Sequence, residues 1–241
     1  MRLGGLLRLS TLDFPGLLGA VVFTQGCNFH CPYCHNPALV GAIGSFESNE
    51  SDGPEGDPLE VEGVLSFLAT RRGLLDGVVL SGGEPTLQGD LAPFLREIRA
   101  LGFKVKLDTN GSRPRILGDL LASGLLDYVA MDLKADPENY PPGLASPKES
   151  QGIPLSLSIL KESPVPHEFR TTVALPFADD AAIEAIARAA SGDATLFLQR
   201  MDPSRGVLSP SFLETHPRQP GARDLTRLRD LASKYLPCQV R

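Results

Sequence analysis

The sequence predicts an α/β fold, a single domain of parallel strands alternating with helices and arranged as a partial (β/α)6 barrel. Three observations lead there. Strand and helix signals alternate through six units, which implies parallel strands joined by right-handed crossovers. The 241 residues are enough for one buried core and contain neither an internal repeat nor a dividing linker. The residues best suited to chemistry fall directly after strand ends, where α/β barrels carry their sites. A doubly wound sheet is the alternative. The domain spans 1–241, with a core at about 17–200, an irregular loop at 44–57 and a C-terminal extension at 201–241.

The first strand is the apolar run 20–24, ended by Gly26. A helix follows over 58–72, where Asp57 suits the N-cap, Pro58 the first helical position and Glu60 a capping box. The second strand, 77–80, runs into the Gly82-Gly83 turn. Asp90 caps a helix through Leu101, with Gly102 as its left-handed stop. The third strand is 103–107, and a helix over 116–122 stops at Gly124. The fourth strand, 128–131, connects through a helix at 155–162 to the fifth, 169–173. An Ala-rich helix at 180–190 ends near Gly192, before the sixth strand at 195–199 and a last helix at 224–235. Stretches 44–57, 137–148 and 203–223 are rich in turn formers and read as irregular.

Composition excludes several classes of function. The chain carries 23 Lys+Arg against 29 Asp+Glu, a formal net charge of −6, which argues against a nucleic-acid partner. Its hydrophobic fraction of 42% excludes wholesale disorder. No apolar run reaches membrane-spanning length, so no membrane association is expected. The first eight residues lack the apolar core of a signal peptide, and the expected location is cytoplasmic.

Cys27, Cys31 and Cys34 lie in a loop after the first strand with C-x3-C-x2-C spacing, far in sequence from Cys238. Three thiols cannot all pair among themselves, and a disulfide framework does not suit a cytoplasmic chain of this size. Metal ligation is the better reading. Zinc would need a fourth ligand such as His30 or His35. A [4Fe–4S] cluster on three cysteines leaves one iron open, a defect in an electron carrier and an asset in a catalyst. The histidines otherwise read as loop-shaping residues, and Cys238 as a lone thiol.

Other strand ends carry polar residues. Gly82-Gly83-Glu84 combines a turn that allows close backbone approach with an acceptor suited to an ammonium group. The third strand ends in Asp108-Thr109-Asn110-Gly111 and the fourth in Ala130-Met131-Asp132-Leu133-Lys134. Such residues commonly serve as turns and caps. Arg170, inside the fifth strand, needs an anion partner such as Asp132.

The cysteine loop, with Tyr33 before its third cysteine, resembles the signature of the radical S-adenosylmethionine (SAM) superfamily. The resemblance implies a [4Fe–4S] cluster on Cys27, Cys31 and Cys34. Its open iron would chelate SAM, and its electron would split SAM into methionine and a 5′-deoxyadenosyl radical. Gly82-Gly83-Glu84 resembles the superfamily motif that holds the SAM amino group. The strings after the third and fourth strands resemble those of glycyl-radical-enzyme activases. By that resemblance Asp108, Thr109, the Ala130 carbonyl and Asp132 hold a monovalent cation against the SAM carboxylate. Lys134 matches the family lysine, and Arg170 lies near the carboxylate or a partner peptide. Related activases carry a ribose-contacting His where this chain has Gln199.

Ser10-Thr11-Leu12-Asp13-Phe14-Pro15-Gly16, Cys34-His35-Asn36-Pro37, and the strings at 127–134 and 169–173 are most similar to activating proteins of anaerobic ribonucleoside-triphosphate reductase. That implies a glycyl radical enzyme as protein substrate, a flavodoxin- or ferredoxin-type electron donor, and no auxiliary cluster. The open side of a six-stranded barrel would admit the partner's peptide loop, with 46–57 and 203–223 as docking surfaces. Two alternatives remain. One is a radical SAM enzyme of small-molecule type, such as a 7-carboxy-7-deazaguanine synthase, whose cluster loop tends to continue Cys-Asp. The other is a non-catalytic zinc or electron-transfer module.

Overall fold

The computed structural model describes residues 1–41, 59–202, 204 and 206–241. Among these residues eight strands form one sheet in chain order. They are β1 (Leu3–Ser10), β2 (Gly19–Thr24), β3 (Gly77–Gly82), β4 (Lys104–Thr109), β5 (Tyr128–Asp132), β6 (His167–Val173), β7 (Thr195–Arg200) and β8 (Cys238–Val240). Strands β2 to β7 are the six predicted ones, all parallel. β1 adds antiparallel to β2, and β8 parallel to β7. Among the described residues no pairing joins β1 to β8, so the barrel they form is partial and open on one side.

The helices among the described residues are α1 (Val61–Ala69), α2 (Leu91–Ala100), α3 (Pro114–Ala122), α4 (Pro147–Ser150), α5 (Ile153–Glu162), α6 (Asp180–Ala189), α7 (Pro210–Thr215) and α8 (Ala222–Ala232). The short α7 lies in a stretch expected to be irregular, and its buried Phe212 explains why it orders. Two capping expectations need correction. Helix α1 starts at Val61, and Glu60 stands just before it with no side-chain capping bond. The expected caps Asp57 and Pro58, and the whole loop 44–57, lie outside the described residues. Asp90 does precede α2, but its carboxylate pairs with the Met1 amino group instead of capping the helix. A full positive charge competes better for that carboxylate than a backbone N–H.

Strand alternation sorts residues into two faces. Val22, Val78, Leu80, Val105, Leu107, Val129, Met131 and Phe169 lie in one core with Leu68, Leu95, Ile98, Leu117, Leu157 and Ile183 of the helices. The alternate residues face the barrel interior. There Val21 and Val79 make a small separate apolar cluster with Phe14. The next positions in register turn polar: Val79 neighbours Lys106, Lys106 neighbours Tyr128, and Asp132 neighbours Arg170. On this polar face Glu168 accepts from the Tyr128 hydroxyl at 3.1 Å and from Arg241 at 3.3 Å. The Arg241 guanidinium lies 3.4 Å from the Phe197 ring centroid. The first-used half of each inner strand thus closes the interior, and its last residues are left to line a cavity.

Leu107 is fully buried in β4, between parallel neighbours on both sides. Leu107→Ala is expected to lower stability by about 2–5 kcal/mol in urea denaturation of the apoprotein. A loss below about 1 kcal/mol would contradict this placement of the core.

Candidate active site

Two backbone contacts place the cysteine loop. After β2, the Gly83 N–H donates to the Thr24 carbonyl at 2.9 Å, and the Glu84 N–H to the Gly26 carbonyl at 2.8 Å. The Gly26 N–H donates to the Leu39 carbonyl at 2.9 Å, which turns the loop back on itself. These contacts explain the glycine pair. Gly82 sits at φ +110°, and a Cβ on Gly83 would stand 2.0 Å from the Gly26 carbonyl oxygen. A buried amide network pins the other side of the loop. Asn28 Nδ2 donates to Ser112 Oγ at 2.9 Å, and Asn110 Nδ2 to Asn28 Oδ1 at 3.0 Å. The Ser112 N–H closes the ring onto Asn110 Oδ1 at 2.9 Å.

The loop stands over the C-terminal strand ends and walls a cavity of about 440 Å³. Cys27, Cys31 and Cys34 line it together with Tyr33, Gly82, Gly83, Glu84, Asp108, Thr109, Asp132, Lys134 and Arg170. Every residue assigned to the site from sequence is therefore at this cavity except Ala130, which is buried in β5 beside Asp108. Gln199 also lines it. Cys238 does not. It pairs with Leu196 near the start of β7, at the opposite end of the sheet.

All the cysteines are free. Burial pushes the Cys27 thiol up to about 12 and the Cys31 thiol to about 11. Metal binding at this loop must therefore expel protons. The donor set fits a polynuclear cluster better than one zinc ion. Among the described residues no three His, Cys, Asp or Glu side chains converge on a single ion. His30 is exposed, and His35 Nε2 donates to the Asp202 carbonyl at 3.2 Å. In a cluster each sulfur takes a different iron, so the thiols need only surround a common space. The Tyr33 ring packs against Phe177 and Phe212 at centroid distances of 5.8 and 6.1 Å, and its buried hydroxyl has no partner among the described residues.

Glu84 is a fully buried carboxylate. Burial raises its pKa, and hydrogen bonds to the ionised form oppose that rise. Oε1 accepts from the Thr86 N–H at 3.1 Å, from the Thr86 hydroxyl at 2.5 Å and from the Thr109 hydroxyl at 2.7 Å. Among the described residues Oε2 accepts only the Asn110 N–H, at 2.7 Å. Oε2 thus keeps acceptor capacity for a cationic group entering the cavity.

The two aspartates form one ionic chain. Arg170 Nε donates to Asp132 Oδ1 at 2.8 Å and Arg170 Nη1 to Asp108 Oδ2 at 3.1 Å. Lys134 Nζ lies 3.1 Å from Asp132 Oδ2, and the buried Lys106 Nζ lies 2.5 Å from Asp108 Oδ1. Burial alone would raise the Asp132 pKa, but Arg170 and Lys134 outweigh it and hold it at about 2. The salt bridge that Arg170 required is therefore present. Its guanidinium bridges the same two carboxylates to which the resemblance assigns a monovalent cation. Thr109, assigned to that cation as well, donates its hydroxyl hydrogen bond to Glu84 Oε1.

Sequence reading left three contributors without a role. Lys106 stands two residues before Asp108 in a strand, hence on the same face, and that spacing was its signal. Asn28 and Ser112 carried none, because their partners come from loops 84 and 82 residues distant.

The radical SAM superfamily model matches residues 21–190. The chain belongs to the radical SAM superfamily. A Methanocaldococcus jannaschii protein described provisionally as a glycyl-radical enzyme activating enzyme is 31% identical over 237 residues, covering 96% of this chain and 92% of that one. The 7-carboxy-7-deazaguanine synthase of Methanopyrus kandleri is 34% identical over 131 residues, covering 50% of this chain and 51% of that one. The structure of Streptococcus suis SuiB bound to S-adenosylmethionine aligns with a TM-score of 0.58 at 14% identity, over 90% of this chain and 48% of that one. As a radical SAM enzyme the protein takes a [4Fe–4S] cluster and SAM. The cysteine loop, the acceptor on Glu84 and the cationic wall of Arg170 and Lys134 suit the two.

Two predictions follow from this geometry. Gly83→Ala should drive the β3 turn off the cysteine loop, costing about 1–3 kcal/mol of stability in urea. It should also leave the protein without bound iron after reconstitution. Retention of both properties would show that the close approach to Gly26 is not needed. The second concerns acid. Because the folded pKa of Asp132 lies below its ordinary value of 3.8, its contribution is present above pH 4 and disappears as pH falls toward 2. Asp132→Asn should be less stable than the parent at pH 6, and the gap should close between about pH 4 and 2. A pH-independent gap would count against the ion pair.

Proposed function

We propose that this radical SAM enzyme is a glycyl-radical-enzyme activase, acting on a partner protein in the cytoplasm. The observation that carries this reading is the extent of the similarities. The M. jannaschii relative matches along 96% of the chain, whereas the deazaguanine synthase matches half of it. The open side of the barrel supports the same reading, since an extended peptide needs lateral access. The motifs before β2 and at the ends of β5 and β6 favour anaerobic ribonucleoside-triphosphate reductase as the partner. A flavodoxin- or ferredoxin-type protein is the electron donor in this reading.

The residues divide the work by charge. Cys27, Cys31 and Cys34 hold the cluster. Gly82 and Gly83 bring the turn's own backbone to the edge of the cavity, and Glu84 Oε2 accepts from the ammonium group of SAM. Arg170 and Lys134 take its carboxylate. Asp108 and Asp132 orient those cations, and Lys106, buried behind Asp108, offsets part of the aspartates' charge. Tyr33 and Gln199 flank the remaining cofactor surface. When bound, the reduced cluster supplies the electron that splits the SAM sulfonium into methionine and a 5′-deoxyadenosyl radical. With that chemistry supplied, the open side of the barrel would present the partner's glycine, whose Cα would give up its hydrogen and keep the unpaired electron.

Anaerobic reconstitution should give about four iron atoms per chain. Cys27→Ala, Cys31→Ala or Cys34→Ala should each abolish that content, while Cys238→Ala retains it. Reduced protein, SAM and the reductase should then give a glycyl doublet in electron paramagnetic resonance, with matching 5′-deoxyadenosine. Similarity to the synthase keeps a second reading open. Turnover of a pterin or nucleoside with no doublet on any partner would establish that one.

A further inference from the structure

The stretch 203–223, expected to present a docking surface, spends part of its length on the cysteine loop. The Leu208 N–H donates to the Cys34 carbonyl at 3.1 Å, and the Ser209 N–H to the Pro32 carbonyl at 3.0 Å. These two bonds hold the carbonyls on either side of Tyr33. Phe212, on the short helix α7 that follows, is buried. Its ring stacks on Phe177 at 5.9 Å and 16°, and it stands 6.1 Å from Tyr33. His216, one turn on, lies 4.9 Å from the Phe212 ring. From the other side His35 reaches the Asp202 carbonyl. The last third of the loop is therefore fastened to residues 202 and 208–216 by three hydrogen bonds and a tilted aromatic contact.

We propose that residues 207–216 are a clamp that keeps water from the cysteine sulfurs and holds the cluster at a lower reduction potential than an uncovered loop would give. The physical basis is charge. Three thiolates already make the oxidised site anionic, and the added electron makes it more so. Water stabilises the more charged form, and excluding water disfavours it. A lower potential makes the reduced cluster a stronger donor toward the sulfonium. Phe212 is thus a positioning residue, acting on the cluster through Tyr33 and the loop backbone. The proposal rests on the three cysteines holding a cluster and is independent of which substrate follows.

The test uses Phe212→Ala, which empties the stack, and Leu208→Pro, which removes the N–H held by Cys34. In the apoprotein each variant should speed alkylation of the loop thiols by iodoacetamide about tenfold, as a loop that opens more often must. After reconstitution each should shift the one-electron reduction equilibrium toward the reduced form about tenfold, a rise of ~59 mV. Leu228→Ala, a core change in α8 away from the loop, controls for general destabilisation and should move neither quantity. Unchanged alkylation and potential in folded variants overturn the clamp. So does an equal potential shift in Leu228→Ala. If Phe212→Ala does not fold, Leu208→Pro alone decides between these outcomes. If no cluster assembles, the alkylation rates still test the clamp, whereas the proposed activity then fails separately.

Discussion

The active site depends on one close approach between two backbones. The turn after β3 must touch the start of the cysteine loop, or the three thiols do not stand over the strand ends. Two hydrogen bonds, from Gly83 to Thr24 and from Glu84 to Gly26, make that approach, and it leaves no room for a side chain at Gly83. The same contact orients Glu84, whose carboxylate then ties in Thr109 and Asn110 at the end of β4. A single steric condition thus joins three consecutive strand ends into one wall.

The second constraint is electrostatic. A barrel interior with two aspartates near a site for an anionic group would repel its own ligand. Arg170 between them, with Lys134 beside Asp132 and the buried Lys106 behind Asp108, offsets that negative charge. Removing one member of such a buried chain strands the others, which is why its parts behave as a unit. The clamp over the cysteine loop addresses the opposite face, where the question is access of water.

Most of this was legible in the chain because the chemistry is local in sequence. The C-x3-C-x2-C loop, the Gly-Gly-Glu turn and the acids at the ends of β4 and β5 each follow an apolar run, and strand ends converge in a parallel barrel. What was missed is non-local or weakly patterned. β1, with the sequence LGGLLRLS, lacks polar alternation, and its place in the sheet comes from pairing with β2. β8 is three residues long. Helix α7 orders because Phe212 finds Phe177 and Tyr33, which no window around residue 212 reveals. The salt bridge from Arg170 to Asp132 was legible from the charge inside β6, but its second bond, to Asp108, depends on a strand 62 residues away.

The buried amide ring of Asn28, Asn110 and Ser112, together with the carboxylate of Glu84, has a further consequence. Every dipole in that group is held by at least one hydrogen bond to another part of the protein. Such dipoles cannot swing when an electron arrives nearby. Bulk water would reorient around the new charge and dissipate energy in doing so. A frozen wall keeps that reorganisation energy small, because its orientation was fixed when the chain folded. Folding therefore meets a cost that solvent would otherwise impose at every turnover.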